Sequence, residues 1–309
     1  MTVAYAELKR LTVSTFPNAK ALPLWAGVEQ AIFADAGLDL TLHETGSSKE
    51  QRKCLAEGEV HIVQAAVDNA LAMIKQGQDV IIFMGGEGGM NDFMVSSSIK
   101  SFADLKDCTL AVDSPNTAYA LLARKVLAEH GLQYERDYQL RPVGNGAKRL
   151  RALKTDSTLF GAILNPPFSA EAQLAGMQNL GALDDLVGPY QAGGAFAMRA
   201  WAQANSEIVE RYISGYLRAL DWLRAVSNEK AAVDLLRQRL DLTEPVALAT
   251  YRQLCDPDRG FTAQAKFNHA GFAQVLSVRA ATEGNDPSIA DPSSYVDLSI
   301  YDRATSKQR

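Results

Sequence analysis

Residues 110–132, LAVDSPNTAYALLARKVLAEHGL, change their hydrophobic period in the middle. The first three are typical of the end of a buried strand, whereas from Ala118 onward apolar residues recur at helical spacing and charged residues occupy the other face. Between them lies the polar segment 113–117, DSPNT, which is rich in residues that begin helices. The stretch therefore predicts a strand, a tight polar turn and a helix, the repeating unit of a parallel α/β sheet.

The same strand–helix unit recurs along most of the chain. Before this stretch, strands are predicted at 8–16, 38–45, 60–66 and 80–86, with helices at 22–37, 47–58 and 67–77. After it, strands at 138–144 and 159–168 alternate with helices at 147–157 and 169–177, and a strand containing Gly193-Gly194 follows. Such alternation with short connections predicts a parallel sheet covered by helices on both faces.

The remaining segments carry weaker patterns. Residues 205–240 and 245–255 are predicted to be helical, and residues 277–309 are expected to form polar, proline-rich loops around the short YVDLS. The glycine-rich segment 83–92, FMGGEGGMND, lacks the Lys-Ser/Thr of a phosphate-binding loop, so we interpret it as a connecting loop. Asp184-Asp185 is expected in a solvated turn, and the basic helix at 147–154 on the surface.

Composition argues against several classes of protein. With 309 residues, of which 47% are hydrophobic and 22% charged, and a net charge of −5, the chain is typical of a globular protein and unlike a nucleic-acid binder. Its three cysteines form no CxxC and its four histidines are isolated, so we expect neither a bound metal nor a cofactor. No apolar run approaches the length of a transmembrane helix.

Four segments, taken in order, resemble one protein family. They are IFADAGLDLTLHE (32–44), CLAEGEVHIVQAAVDNALAMIKQGQDVIIF (54–83), IKSFADLKDCTLAV (99–112) and LFGAILNPPFSAEAQLAGM (159–177). Over residues 10–225 the chain is similar to the solute-binding proteins of ABC importers for sulfonates, nitrate and thiamine-pyrimidine precursors. It departs from the family pattern at His61 and Gly161, where the family usually has aspartate, and both are expected to be packing positions near strand starts.

This resemblance implies the type II periplasmic-binding-protein fold, an α/β fold with two lobes, mixed and mainly parallel sheets flanked by helices, and a ligand cleft between the lobes. Lobe one would comprise residues 1–95 and 190–309, and lobe two residues 96–189. The cleft would lie at the carboxyl ends of the strands, where open parallel sheets bind ligands. The predicted ligand-binding residues lie at strand-to-helix junctions and on the returning crossover: Phe16, Asn18, Ser47, Ser48, Asp68, Asn69, Ser114, Asn116, Thr117, Asn165, Phe168, Gly193 and Gly194.

Helix N-termini favour an acidic or strongly polar ligand, because they present unpaired backbone N–H groups and a partial positive charge. Serine, threonine and asparagine are also ordinary helix caps, so capping is the alternative at each junction taken alone. Arg141 or Arg149 could pair with a ligand acid. The candidate aromatic walls, each with a core position as the alternative, are Phe16, Trp25, Tyr119, Phe168 and Tyr190.

These features favour a binding protein over an enzyme. We expect the chain to close its lobes on a small polar or acidic organic molecule, such as a sulfonate, a carboxylate or a pyrimidine, and to present it to an ABC permease. The alternatives are a cytosolic metabolite sensor and a cytosolic enzyme on the same scaffold, such as a desulfinase, a decarboxylase or another lyase or hydrolase acting on a small organic acid.

Catalysis has little support in the residues. The first strand–helix loop lacks the cysteine that desulfinases of this scaffold use, Cys54 and Cys108 are expected outside the cleft, and no nucleophile–base pair is evident. Residues 1–16 do not have the basic segment followed by an apolar core that is typical of a secretory leader. We therefore expect a periplasmic location if a leader has been removed and a cytoplasmic location if Met1 is the native start.

Overall fold

The computed structural model describes residues 8–307, so the predictions for residues 1–7 and 308–309 lie outside the described chain. Its first sheet has the strand order β2-β1-β3-β10-β4. β1 runs parallel to β2 and β3, whereas β10 returns antiparallel between β3 and β4. The strands are β1 (Lys9–Thr15), β2 (Leu38–Glu44), β3 (Ile62–Ala66), β4 (Val80–Glu87) and β10 (Gly193–Met198).

The second sheet has the order β7-β6-β8-β5-β9. β6 is parallel to β7 and β8, and β5 is antiparallel to β8 and β9. Both sheets are mixed, and the α/β class predicted from the sequence is therefore confirmed. The strands are β5 (Asp92–Val95), β6 (Cys108–Val112), β7 (Tyr138–Pro142), β8 (Gly161–Leu164) and β9 (Gln178–Ala182).

Helices connect the strands and cover the sheets. The helices between strands are α1 (Leu22–Glu29), α2 (Ile32–Asp35), α3 (Ser48–Ala56), α4 (Asp68–Ile74), α5 (Ala118–Glu129), α6 (Gly146–Thr155), α7 (Phe168–Leu174) and α8 (Leu183–Val187). The helices after β10 are α9 (Arg199–Ala204), α10 (Ser206–Arg224), α11 (Glu229–Leu240), α12 (Glu244–Leu254), α13 (His269–Glu283) and α14 (Ser299–Ser306). Within the described residues, no helix is both long and apolar enough to span a membrane.

The helix α10 fixes the core of the first sheet. Its Tyr212 is fully buried and stacks on Phe33 of α2, with ring centroids 5.9 Å apart and planes within 7°. The Tyr212 hydroxyl donates a 2.9 Å hydrogen bond to Gln64 Oε1 on β3, so the buried polar group is satisfied. The helix therefore packs its apolar face against the sheet and also reaches the strand that ends at the cleft.

Two predicted elements differ in the structure, and further elements were not predicted. The helix predicted at 22–37 is two helices, because the backbone of Ala31 adopts a left-handed conformation (φ 53°) that interrupts the helical hydrogen bonds. The predicted loop at 83–92 is wrong in its first half, since the fully buried β4 continues to Glu87 and β5 begins at Asp92. The strand β9 at the edge of the second sheet and the helix α8 that follows it were not predicted from the sequence.

The prediction of loops over residues 277–309 is wrong where the chain forms the second half of α13 and the whole of α14; the first half of α13 precedes that segment. In α13, Phe272, Val275 and Val278 recur at helical spacing and are buried, but interleaved alanines and polar residues obscure this pattern in the sequence. The helix packs against α5, which follows β6 of the second sheet. The division of the chain into lobes at 95 and 190 stays a prediction; β5 already pairs within the second sheet.

Candidate functional site

A cavity of about 110 Å³ lies where segments that follow strands of both sheets meet. The first sheet contributes the segment after β1 and the ends of β3 and β4, and the second contributes the segments after β6 and β8. α10 and the chain after α12 add aromatic side chains. The lining residues are Thr15, Phe16, Pro17, Asn18, Lys20, Ser48, Gln64, Ala65, Ala66, Asp68, Asn69, Glu87, Asp113, Thr117, Ala118, Tyr119, Asn145, Gly146, Arg149, Asn165, Phe168, Gly193, Tyr216 and Phe261.

Two hydrogen bonds join the walls of the cavity directly. The backbone N–H of Ala19, in the turn after β1, donates to the Pro166 carbonyl after β8 at 3.2 Å. The Ser48 hydroxyl at the start of α3 donates to Asp113 Oδ2 after β6 at 3.1 Å. The elements of the two sheets are therefore in contact across the cavity, and a ligand inside it would be enclosed.

Lys20 is a cation in the cavity wall whose donors are already used. Its Nζ lies 3.0 Å from Glu87 Oε1 and 3.3 Å from Asn91 Oδ1, and it also donates to the Gly89 carbonyl. Burial lowers the pKa of Lys20, but the Glu87 carboxylate and the Tyr119 hydroxyl together outweigh this effect and the pKa is raised overall. Since an ammonium group has three N–H donors, Lys20 contributes a neutralised pair rather than a free positive charge.

Arg149 is a buried cation that lacks a carboxylate partner. The residue is 3% exposed; its Nη1 donates to the Gly144 carbonyl at 2.7 Å and its Nη2 to the Ile163 carbonyl at 3.4 Å. Its Nε has no hydrogen-bond partner, and no salt bridge to Arg149 is found in residues 8–307. Burial lowers the pKa of the guanidinium, an effect that Tyr119 and Asp113 only partly offset.

The position of Arg149 follows from the sequence of α6. Gly146, Arg149 and Leu150 are buried on one face of the helix, whereas the neighbouring basic residues are exposed. The helix begins at the cavity, where Asn145 accepts a hydrogen bond from the Lys148 N–H. The prediction that this basic helix lies on the surface is therefore wrong at Arg149. The positive charge of Arg149 and the N-terminus of α6 together favour an anion in the cavity.

Two predicted site residues, Asp68 and Asn69, line the cavity but are already paired. The Asp68 carboxylate forms a bidentate salt bridge with Arg279 of α13, with Oδ1–Nε at 2.6 Å and Oδ2–Nη2 at 2.7 Å. Asn69 Oδ1 accepts a 2.8 Å hydrogen bond from Arg52, and its amide donates to Gln51 Oε1 at 3.3 Å. These contacts tie α3, α4 and α13 together behind the cavity.

The structure separates the predicted site residues into two groups. The residues that line the cavity are Phe16, Asn18, Ser48, Asp68, Asn69, Thr117, Asn165, Phe168 and Gly193. Ser47, Ser114, Asn116 and Gly194 lie outside the lining. The Ser47 hydroxyl accepts a 3.2 Å hydrogen bond from the Glu50 N–H and caps α3, while Ser114 and Asn116 are exposed. Ligand contact by any of these residues stays a prediction.

The aromatic candidates divide in the same way. Phe16, Tyr119 and Phe168 line the cavity, whereas Trp25 is fully buried in the core and donates to Glu44, and Tyr190 lies outside the lining. Tyr216 and Phe261 were missed, because they come from segments distant in sequence that carry no junction signal. Lys20 lies two residues after Asn18, where the first predicted junction ends, so extending that junction by two residues would have found it.

The cavity offers no thiol or imidazole. Cys54, Cys108 and Cys255 do not line it, and burial contributes to a raised pKa for each, so none is an activated thiolate. His61 instead accepts a hydrogen bond from the Thr12 N–H at 3.0 Å and stacks on Trp201, as expected for a packing position. Among residues 8–307, no group of three or more histidine, cysteine or acidic side chains could hold a metal ion.

Comparisons with known proteins agree with this architecture. The model of the NMT1-like family matches residues 4–237, and no curated protein matches the chain. A protein structure from Bordetella bronchiseptica RB50 has a TM-score of 0.84 at 21% identity and covers 98% of both chains. The nitrate-binding protein NrtA of Synechocystis PCC 6803 has a TM-score of 0.81 at 14% identity, covering 97% of this chain and 89% of its own.

The alkanesulfonate-binding protein SsuA of Xanthomonas axonopodis pv. citri, bound to MOPS, has a TM-score of 0.72 at 18% identity. It covers 90% of this chain and 92% of its own. These identities are low enough that the likeness concerns the fold alone. The predicted periplasmic-binding-protein fold is confirmed, and the structural neighbours of the chain include nitrate- and sulfonate-binding proteins of the kind that its sequence resembles.

Proposed function

We propose that this chain, which belongs to the NMT1-like family, is the solute-binding protein of an ABC importer and binds a small organic acid. Structural neighbours of the chain include a nitrate-binding and an alkanesulfonate-binding protein, which supports a binding role. The candidate ligands are sulfonates, carboxylates and acidic pyrimidines. In this proposal the protein delivers the ligand to a membrane permease, and a periplasmic location follows from that role.

The observation that carries the proposal is the unpaired Arg149. A buried guanidinium without a salt bridge is costly, because burial removes its hydration and, within residues 8–307, Tyr119 and Asp113 offset that loss only in part. An acidic group hydrogen-bonded to Arg149 would supply the missing negative charge. Arg149 would then hold the acid, while the neighbouring rings of Tyr119 and Phe168 would enclose the body of the ligand.

Closure of the cavity supports binding and transport more than it supports catalysis. The hydrogen bonds from Ala19 to Pro166 and from Ser48 to Asp113 exist only when the walls meet. A ligand that contacts both walls would shift the population toward this closed arrangement, which a permease can recognise. The absence of an activated thiol from the lining gives the enzymatic alternative no specific support.

Binding measurements on purified protein test the proposal. A panel of sulfonates, carboxylates and pyrimidines is screened by thermal shift, and Kd values of the hits are measured by isothermal titration calorimetry on the wild type and on Arg149→Gln. We expect Arg149→Gln to weaken acid binding about tenfold or more, since charge-assisted hydrogen bonds contribute about 1.5–3 kcal/mol.

The matched control is Arg141→Gln on the neighbouring strand β7, where the half-exposed arginine pairs with Asp156 at 2.7 Å. This variant is expected to bind like the wild type. Equal affinity of Arg149→Gln and the wild type, or no binding by any acid in the panel, would contradict the proposed function.

A further inference from the structure

Of the five charged residues in the described chain that line the cavity, three take part in salt bridges and two do not. Lys20 is paired with Glu87, and Asp68 with Arg279. Arg149 and Asp113 line the same cavity, yet within residues 8–307 neither takes part in a salt bridge. The cavity wall therefore carries one positive and one negative group that are near enough for their charges to act on each other but are not in direct contact, so a ligand can contact each of them.

Asp113 keeps part of its hydrogen-bonding capacity. The residue directly follows β6 and is half-buried, and its Oδ2 accepts the 3.1 Å hydrogen bond from Ser48. In the described chain, no hydrogen bond to Asp113 Oδ1 is found beside it. Arg52, the cation on the adjacent wall whose charge acts on Asp113, directs its Nη1 to Asn69 instead. One carboxylate oxygen is thus free to accept a donor from a ligand.

We propose that Asp113 is a specificity-determining residue that selects small acids carrying a protonated amine, that is, amino carboxylates or aminosulfonates. This inference rests on the proposed function, because it requires the ligand acid on Arg149. The ligand ammonium donates to Asp113 while the acid accepts from Arg149, so the half-buried carboxylate and the buried guanidinium each gain a directly bonded counter-ion. A simple acid of the same shape neutralises Arg149 only, and it adds negative charge to a wall that already contains Asp113.

The cavity also restricts the size of such a zwitterion. A volume of about 110 Å³ is similar to that of cavities that hold a single small ring, so the ligand is a short-chain or one-ring molecule. The Tyr119 ring, 5.7 Å from the Arg149 guanidinium, forms part of the surface next to the acid. Selection of the amine then depends on unpaired polar groups, which discriminate more strongly than apolar contacts do.

Matched ligand pairs test the inference without changing the protein. Calorimetric Kd values at pH 7 are compared for propionate and β-alanine, ethanesulfonate and 2-aminoethanesulfonate, and phenylacetate and phenylglycine. We expect the amino member to bind about tenfold or more tightly than the plain acid in at least one pair, because an ionic hydrogen bond in a buried site is gained. The plain acids retain measurable binding through Arg149.

The variant Asp113→Asn isolates the carboxylate charge. Asparagine still accepts the hydrogen bond from Ser48, so the contact between the walls is kept and the protein is expected to fold normally. We expect this variant to lose about tenfold or more in affinity for the preferred amino acid and to bind the plain acid as well as, or better than, the wild type. Asp107→Asn, an exposed change just before β6, is the matched control and binds like the wild type.

The outcomes separate the two proposals. If acids bind through Arg149 but the amine makes no difference in any pair, selection by Asp113 is refuted and the proposed function stands. If amino acids bind preferentially and Asp113→Asn leaves that preference intact, the role of Asp113 is refuted. If no acid of either kind binds, both proposals fail.

Discussion

The salt bridge between Asp68 and Arg279 offers a quantitative test of how the cavity wall is held. Both side chains are more than nine-tenths buried, and the pair is bidentate with distances of 2.6 and 2.7 Å. Arg279 also contacts Glu283 at 2.7 Å, so it anchors α13 to the start of α4 at the cavity. We predict that Arg279→Met lowers the free energy of unfolding by about 3–5 kcal/mol.

The expected loss in the free energy of unfolding follows from the environment of Asp68 after Arg279 is replaced. Methionine fills much of the arginine volume, so the loss is not mainly one of packing. The Asp68 carboxylate, however, stays buried and loses both hydrogen-bond donors, and an uncompensated buried charge is strongly destabilising. The double variant Asp68→Asn with Arg279→Met removes that charge and is expected to recover about 1–3 kcal/mol relative to the sum of the two single losses.

Urea unfolding of the ligand-free protein at pH 7 measures these differences. Arg303→Met is the control, because the half-exposed Arg303 pairs with Glu210 at 2.8 Å on the surface and its loss is expected to cost at most about 1 kcal/mol. If Arg279→Met costs no more than Arg303→Met, or if the double variant shows strictly additive losses, the reasoning from an uncompensated buried charge is wrong.

Two further predictions concern other parts of the cavity region. Burial and the nearby Glu87 raise the pKa of Asp184 to about 6. The folded state therefore binds the Asp184 proton more tightly than the unfolded state does. The protonated carboxyl stabilises the folded state fully below about pH 4, and this stabilisation is lost as the pH rises through 6. Thermal unfolding between pH 4 and 8 should show that Asp184→Asn removes this loss while the exposed Asp185→Asn retains it, and identical profiles would contradict the assignment. A Cβ at Gly146 would lie 2.5 Å from Phe168 Cδ2. Gly146→Ala is therefore expected to lower the free energy of unfolding by about 1–3 kcal/mol and to weaken ligand binding. Unchanged calorimetric Kd values would refute the effect on binding.

Asp184 itself shows how a local reading of sequence can fail. Two consecutive aspartates are typical of a solvated turn, and Asp185 indeed is exposed and pairs with Arg259 at 2.9 Å. Asp184 begins the first turn of α8 and is half-buried, and its Oδ1 has no hydrogen-bond partner. Adjacent residues in a helix point in different directions, so their environments differ although their chemistry is the same.

Local periodicity was sufficient for most elements of the two sheets. The junction quoted first, residues 110–132, is β6 followed by α5, and Thr117 lies at the start of that helix and lines the cavity. Ser114 and Asn116 in the same junction are exposed. A strand–turn–helix pattern therefore predicts where a junction lies, but only the path of the turn decides which of its side chains face inward.

The sequence by itself determined the alternation of strands and helices, the family, and the junctions at which a ligand is expected, because these depend on residues close together in the chain. Tertiary structure alone decided that Arg149 is buried without a counter-ion, that Arg279 neutralises Asp68, and that Tyr216 and Phe261 complete the wall. These facts depend on how deeply each side chain is buried and on which residues, distant in sequence, lie within a few ångströms of it. Local periodicity encodes neither the burial nor these neighbours.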